Sequence, residues 1–230
     1  MMREAADILI RSGMADVGYE YVNIDDCWMN AEKNSDPARN GPFRDAAGNL
    51  IPNRHFPDMK ALADYIHSKG LKAGLYTSPG PTTCAGFAGA YQHEAQDAKL
   101  FADWGFDFLK YDWCSYGKYA PDGSRESWMA PYRKMGELLR AQNRDILYSI
   151  CQYGEAEVWT WGRDVGGHLW RTTGDMVDRW AEMIRIGMRQ EPLAPWSGPG
   201  GWNDPDMLQV GMLGMSATPR PSRWCSTGCC

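Results

Sequence analysis

Five aspartates offer this 230-residue chain the most chemistry: Asp25, Asp26, Asp112, Asp175 and Asp206. Each falls at or just beyond the end of an apolar, strand-like run. Carboxylates so placed suit three chemistries: oxygen ligation of a hard cation, bidentate recognition of sugar hydroxyls, or paired acid and nucleophile work on a glycosidic bond. Lys110 precedes Asp112 by two residues, so in a strand their side chains share a face and an ammonium there holds Asp112 ionised, as a nucleophile needs. Asp175 lies four residues past Arg171 in the loop Arg171-Thr172-Thr173-Gly174-Asp175, where it could face Asp112 as a carboxyl of raised pKa, as a general acid needs. Taken singly, an aspartate after a strand is more often a helix N-cap. The doublet Asp25-Asp26 is different, because adjacent like charges need a lysine, a metal or sugar hydroxyls to offset their repulsion. Trp28, Trp113, Trp159, Trp161 and Trp202 lie near the same strand ends and are expected to offer aromatic faces to a sugar ring, although each alone would be assigned to the core.

The elements that must position these residues alternate. A helix over 3–12 stopped by Gly13 precedes a strand over 19–26. Met59, Leu62, Ala63 and Ile66 share one helical face, and the run 71–77 after Gly70 has the composition of a buried strand. The pattern recurs in a helix around Ala95–Ala102 before strand 106–112, a helix through Trp128, Tyr132, Met135 and Leu139 before strand 145–151, a strand over 168–172, a helix over 177–188 and a strand near 201–203. Such alternation predicts a parallel sheet, either open and doubly wound or closed as a (β/α)8 barrel. A barrel would converge the strand-end aspartates on one mouth, whereas an open sheet would scatter them, and no glycine-rich phosphate loop follows any strand. The barrel is the better fit, with about six of its eight βα units present.

Composition excludes several classes. With 24 basic and 29 acidic side chains the net charge is −5, without the basic clusters that nucleic-acid binding needs. No apolar run approaches the ~18 residues of a membrane span, and no signal peptide is legible at the N-terminus. His55, His67, His93 and His168 are scattered without zinc-ligand spacing, His67 being expected on an exposed helix face, and no serine sits in a G-x-S-x-G elbow.

Five separated motifs occur in order: Tyr21-Val22-Asn23-Ile24-Asp25-Asp26-Cys27-Trp28; Gly70-Leu71-Lys72-Ala73-Gly74-Leu75-Tyr76; Ala102-Asp103-Trp104-Gly105 running to Lys110-Tyr111-Asp112-Trp113-Cys114; Trp170-Arg171 to Asp175; and Gly201-Trp202-Asn203-Asp204-Pro205-Asp206-Met207. In these the chain resembles glycoside hydrolase family 27, the α-galactosidase and α-N-acetylgalactosaminidase group. The resemblance implies a (β/α)8 TIM barrel, here incomplete with the first and last strands missing, and double-displacement hydrolysis of terminal α-galactosides without metal or organic cofactor. By motif, Asp112 is the nucleophile and Asp175 the acid/base. The resemblance further implies that Asp25, Asp26, Tyr76, Cys84, Lys110, Cys151, Tyr153, Arg171, Asp206 and Met207 contact the sugar and that Cys84 and Cys114 form a disulfide at the pocket rim. Retention requires the two carboxyls about 5 to 5.5 Å apart. The family discriminates at the sugar 2-position around Cys151-Gln152-Tyr153-Gly154. Tyr153 stands there where plant-like α-galactosidases usually carry Trp, which favours galactose over N-acetylgalactosamine or β-L-arabinopyranose.

The implied partner is an oligosaccharide or glycoconjugate with a terminal α-galactose, and the full-length protein is expected to be secreted or periplasmic. The match runs over 1–216. Residues 217–230, with Pro219, Pro221 and the Cys229-Cys230 end, have no apolar period and are expected to form a non-family tail, disordered or frame-shifted. Two other classes fit some of these residues: a metal-dependent hydrolase ligating through Asp25, Asp26 and Asp206, and a non-catalytic sugar-binding fragment sharing every pocket residue.

Overall fold

The structure, a computed structural model, describes residues 1–120 and 122–207. Six strands, β1 (Tyr21–Asn23), β2 (Lys72–Thr77), β3 (Phe108–Tyr111), β4 (Leu147–Ile150), β5 (Leu169–Arg171) and β6 (Trp202–Asp204), form one sheet in sequential order. Every neighbouring pair is parallel, with registers such as Val22 opposite Ala73, Leu75 opposite Leu109 and Trp170 opposite Asn203. Five α-helices alternate with them: α1 (Met2–Arg11), α2 (Met59–His67), α3 (Glu94–Trp104), α4 (Arg125–Arg140) and α5 (Trp180–Met188). A sheet whose strands pair strictly in chain order through helical crossovers is the arrangement of a barrel wall rather than of a doubly wound sheet, in which strand order reverses. The incomplete (β/α)8 assignment therefore holds. The expected boundary at residue 216 and the tail 217–230 lie outside the described residues.

Local chemistry sets the helix limits. Asp58 caps α2 by accepting from the Ala61 amide at 2.8 Å, and Ser124 caps α4 by accepting from the Ser127 amide at 3.2 Å. Gly105, at φ +89°, ends α3 in the left-handed conformation. Met59, Leu62, Ala63 and Ile66 are all buried, as the spacing of α2 predicts. The core continues through Trp28, Phe101 and Trp104, packed edge to face, and through Tyr111 against Tyr132. Helix α4 lies so close to the segment before β5 that a Cβ on Gly136 would meet the Val165 carbonyl oxygen at 2.0 Å.

The strands are shorter than the apolar runs suggest, for a reason that bears on the site. The ladder's last donors are the amides of Ile24, Asp112, Cys151 and Thr172. Beyond Ile24 the carboxylates take over: the Asp26 amide donates to Asp25 Oδ1 at 2.8 Å and the Cys27 amide to Asp26 Oδ1 at 2.6 Å, with Cys27 turned to φ +74°. Side chains that bond their own backbone end the pairing there. Among the described residues no helix is long and apolar enough to cross a membrane.

Candidate active site

Because all six strands run parallel, their C-terminal ends share one rim, and the expected residues gather there. Asp112, one residue past β3, is 5% exposed. Its Oδ2 accepts from the Tyr76 hydroxyl at 2.9 Å, and its Oδ1 accepts from the Trp113 amide at 2.8 Å and the Tyr153 hydroxyl at 2.5 Å. Burial, and after it the charge of Asp112, keeps both phenols protonated far above the ordinary tyrosine range, so each remains a donor.

Lys110, on the same face of β3, donates from Nζ to Asp25 Oδ2 at 2.9 Å and lies over the Tyr76 ring, 5.3 Å from its centroid. Burial works against its charge, but the Asp25 and Asp112 carboxylates outweigh it and hold Lys110 protonated above its usual range. Sequence spacing pairs Lys110 with Asp112, but its direct partner is Asp25, which answers the repulsion of the doublet. Asp26 is held by three donors instead: the Cys27 amide, the Ala85 amide at 3.0 Å and the Thr83 side chain. Burial raises its pKa, and those hydrogen bonds oppose the rise.

Across the rim, Arg171 at the end of β5 is 2% exposed and organises the second acidic group. It donates from Nη2 to Asp175 Oδ1 and from Nη1 to Asp206 Oδ1, both at 3.0 Å, and approaches the buried Cys151 sulfur at 3.6 Å. Asp175 itself is open, with 75% of its side chain exposed, while the side chain of Asp206 is buried, its Oδ2 accepting the Met176 amide at 2.5 Å. Burial first, and then Asp112, pushes the Cys151 thiol well above its ordinary range, so it stays neutral. Met207 follows Asp206 and is about half exposed.

Tyr153 joins the two halves. Its hydroxyl touches Asp112, and the Arg171 guanidinium sits over its ring at 5.9 Å. Tyr153 adopts φ +67° and Gly154 φ +91°; a Cβ on Gly154 would meet the Thr172 carbonyl oxygen at 2.3 Å, so only glycine lets the β4 loop press against the β5 loop. Cys84, exposed in the loop after β2, is bonded to Cys114 with 4.8 Å between the Cα atoms, and the Tyr153 hydroxyl lies 3.6 Å from the Cys84 sulfur. Beside these loops a cavity of about 500 Å³ opens, lined by residues that include Tyr153, Trp159, Thr173, Gly174 and Arg189.

Some expectations are corrected. Trp28 and Trp161 are fully buried and cannot offer a face to a sugar; the Trp28 indole instead donates to the Tyr76 carbonyl at 2.8 Å and so supports that residue from below. Of the other three, Trp113 stacks on Trp128, Trp159 lines the cavity and Trp202 is exposed. His67 is not a free surface residue: it bonds Asp107 at 2.7 Å on the opposite, N-terminal side of the sheet. Two residues of the rim escaped sequence reasoning. Thr83 next to Cys84 holds Asp26, and Asp204 accepts the Asp206 amide at 2.8 Å, its own pKa raised by burial. Asp204 lies inside the motif Gly201 to Met207, whereas nothing local marks Thr83.

The aspartates that a metal-dependent hydrolase would use are already matched to protein groups: Asp25 to Lys110, Asp206 to Arg171, and Asp26 to backbone and hydroxyl donors. Cys84, Asp112 and Cys114 also lie within 4.8 Å of one another, but the two sulfurs are spent in their mutual bond. Carboxylates already engaged by protein donors have fewer lone pairs to offer a hard ion.

The family profile described as alpha galactosidase A matches residues 1–224. An alpha-galactosidase of Oryza sativa is 45% identical over 219 residues, covering 94% of this chain and 48% of the relative. Among solved structures, a putative alpha-galactosidase/melibiase from Bacteroides fragilis superposes with TM-score 0.82 at 42% identity, covering 91% of this chain and 43% of the other. An alpha-galactosidase from Saccharomyces cerevisiae solved with raffinose gives TM-score 0.82 at 30% identity, covering 94% and 50%. The chain spans about half the length of the curated relatives it matches. Strictly sequential parallel strands, acidic groups on one rim and a profile match over most of its length place the chain in the alpha galactosidase A family, glycoside hydrolase family 27.

Proposed function

We propose that the protein is a retaining glycoside hydrolase that releases terminal α-linked galactose from an oligosaccharide or glycoconjugate. The observation that carries the proposal is the asymmetry of the two carboxyls: Asp112 buried, with donors on both oxygens and a lysine on its own face, and Asp175 open to solvent on an arginine. A carboxylate stabilised by donors suits attack on the anomeric carbon, and one in contact with solvent suits proton exchange with a leaving oxygen and then with water. In the first step a lone pair of Asp112 bonds to the anomeric carbon. The glycosidic bond breaks, and its electron pair leaves on the oxygen that takes the Asp175 proton. In the second step water attacks that carbon, gives its proton to Asp175 and returns the electron pair to Asp112.

Asp25, Asp26, Lys110, Arg171, Asp206 and Met207 would hold the sugar. Cys151 and Tyr153 would border its 2-position, with Tyr76 and the Cys84 rim completing the pocket. Phenolic bulk at Tyr153 favours a hydroxyl over an acetamide there, and the raffinose bound to the yeast relative is consistent with an α-galactosyl oligosaccharide. The Cys84–Cys114 bond supports an oxidising compartment, secreted or periplasmic. Asp112→Ala should abolish turnover of an aryl α-galactoside while galactose still binds by calorimetry. Undiminished turnover, or first-formed β-galactose by NMR, would overturn the proposal.

A further inference from the structure

Resting on the glycosidase reading, we infer that Tyr153 is a positioning residue that engages Asp112 Oδ1, assigns the attack to Oδ2 and speeds the release of the covalent sugar. The geometry separates the two oxygens. Oδ1 accepts two hydrogen bonds, from the Trp113 amide and the Tyr153 phenol, which use both of its lone pairs. Among the described residues Oδ2 accepts one, from Tyr76, which leaves it a lone pair. Only Oδ2 can form a bond to carbon without first breaking a hydrogen bond.

The tyrosine is built into this place. Its backbone sits at φ +67°, a conformation that costs a bulky residue of order 1–3 kcal/mol and persists only where the surroundings impose it. Gly154 behind it allows the close packing on Thr172, Arg171 covers the ring, and the disulfide borders the hydroxyl. A residue needed only as bulk beside a sugar would not require a hydroxyl 2.5 Å from the nucleophile.

The chemical consequence follows from where charge resides in the two steps. When Oδ2 bonds to the anomeric carbon, Asp112 becomes a neutral ester and Oδ1 a carbonyl oxygen. When water displaces it, the electron pair of the C–Oδ2 bond returns and the carboxylate is charged again. A phenol donor bonds a charged oxygen more strongly than a neutral one. Tyr153 therefore opposes formation of the covalent sugar and favours its hydrolysis, making Asp112 a better leaving group in the second step.

The test is rapid-mixing kinetics of the full chain with a dinitrophenyl α-galactoside, together with intact mass spectrometry of acid-quenched protein. Tyr153→Phe should show a burst of released phenol and a hexosyl adduct, with kcat and KM falling together by about tenfold or more, the worth of a hydrogen bond to a charged group. Tyr153→Trp keeps bulk without the phenol and should also accumulate adduct; near-UV circular dichroism would show that both variants are folded. Three outcomes overturn the inference: a rise in KM alone, marking Tyr153 as a plain sugar contact; a fall in KM at constant kcat, marking it as a plug; or loss of kcat without adduct. A wild-type chain that releases no phenol overturns the glycosidase reading itself, a result distinct from all three.

Discussion

At the scale of single residues, the site works by giving each buried charge its own partner. Lys110 serves Asp25, Arg171 serves Asp175 and Asp206, and phenols serve Asp112. Asp26, like Asp112, accepts only from neutral donors, and burial raises its pKa. An amide in its place would turn an N–H toward at least one of the three donors it now accepts from. Asp26→Asn should therefore weaken galactose binding by about tenfold, the cost of one lost and one opposed hydrogen bond. Calorimetry giving the wild-type affinity would remove Asp26 from the sugar contacts. The acidic doublet was legible in the sequence, but its division of labour was not, because adjacent side chains at a strand end diverge and meet different loops.

Elements set the precision with which these residues meet. Each of the first five strands hands its last residues to a loop that crosses the rim, and the fit of those loops depends on backbone approaches only glycine permits. Gly136 on α4 packs against Val165, in the segment leading into β5 and thus to Arg171. A methyl group there would collide with a backbone carbonyl that cannot swing aside. Gly136→Ala is expected to cost about 1–3 kcal/mol and to lower the melting temperature measured by calorimetry. Helix and strand positions were readable from apolar spacing to within a few residues. The ends were not, since whether Asp25 continues a strand or bonds its own backbone is decided by what lies opposite it.

The whole molecule adds a dependence on pH remote from the site. Asp97 on α3 has a fully buried side chain and accepts both guanidinium nitrogens of Arg44, at 2.6 and 2.8 Å, which fastens the long segment between β1 and α2 to the helical layer. Burial nevertheless raises its pKa to about 6, with Arg44 opposing the rise. The unfolded carboxyl, near the ordinary 3.8, loses its proton first as pH rises. Between about pH 4 and 6 the folded state therefore binds more protons, and this group's contribution to stability falls by roughly 2–3 kcal/mol across that window, then levels off. Urea unfolding from pH 4 to 7 of the wild type and of Asp97→Asn should differ in slope there; parallel profiles would show that Asp97 does not titrate in that range.

The sequence by itself determined the alternation of helix and strand, the order of the motifs and the identity of the acidic and basic residues, because periodicity and residue type are local properties. The tertiary structure decided which of those residues meet. It turned Trp28 and Trp161 into core, set Lys110 against Asp25, brought Thr83 to Asp26 and placed the phenol of Tyr153 on one oxygen of Asp112. Such pairings join residues 41 to 85 positions apart in the chain, and only the parallel sheet, which brings its strand ends to one rim, makes them neighbours.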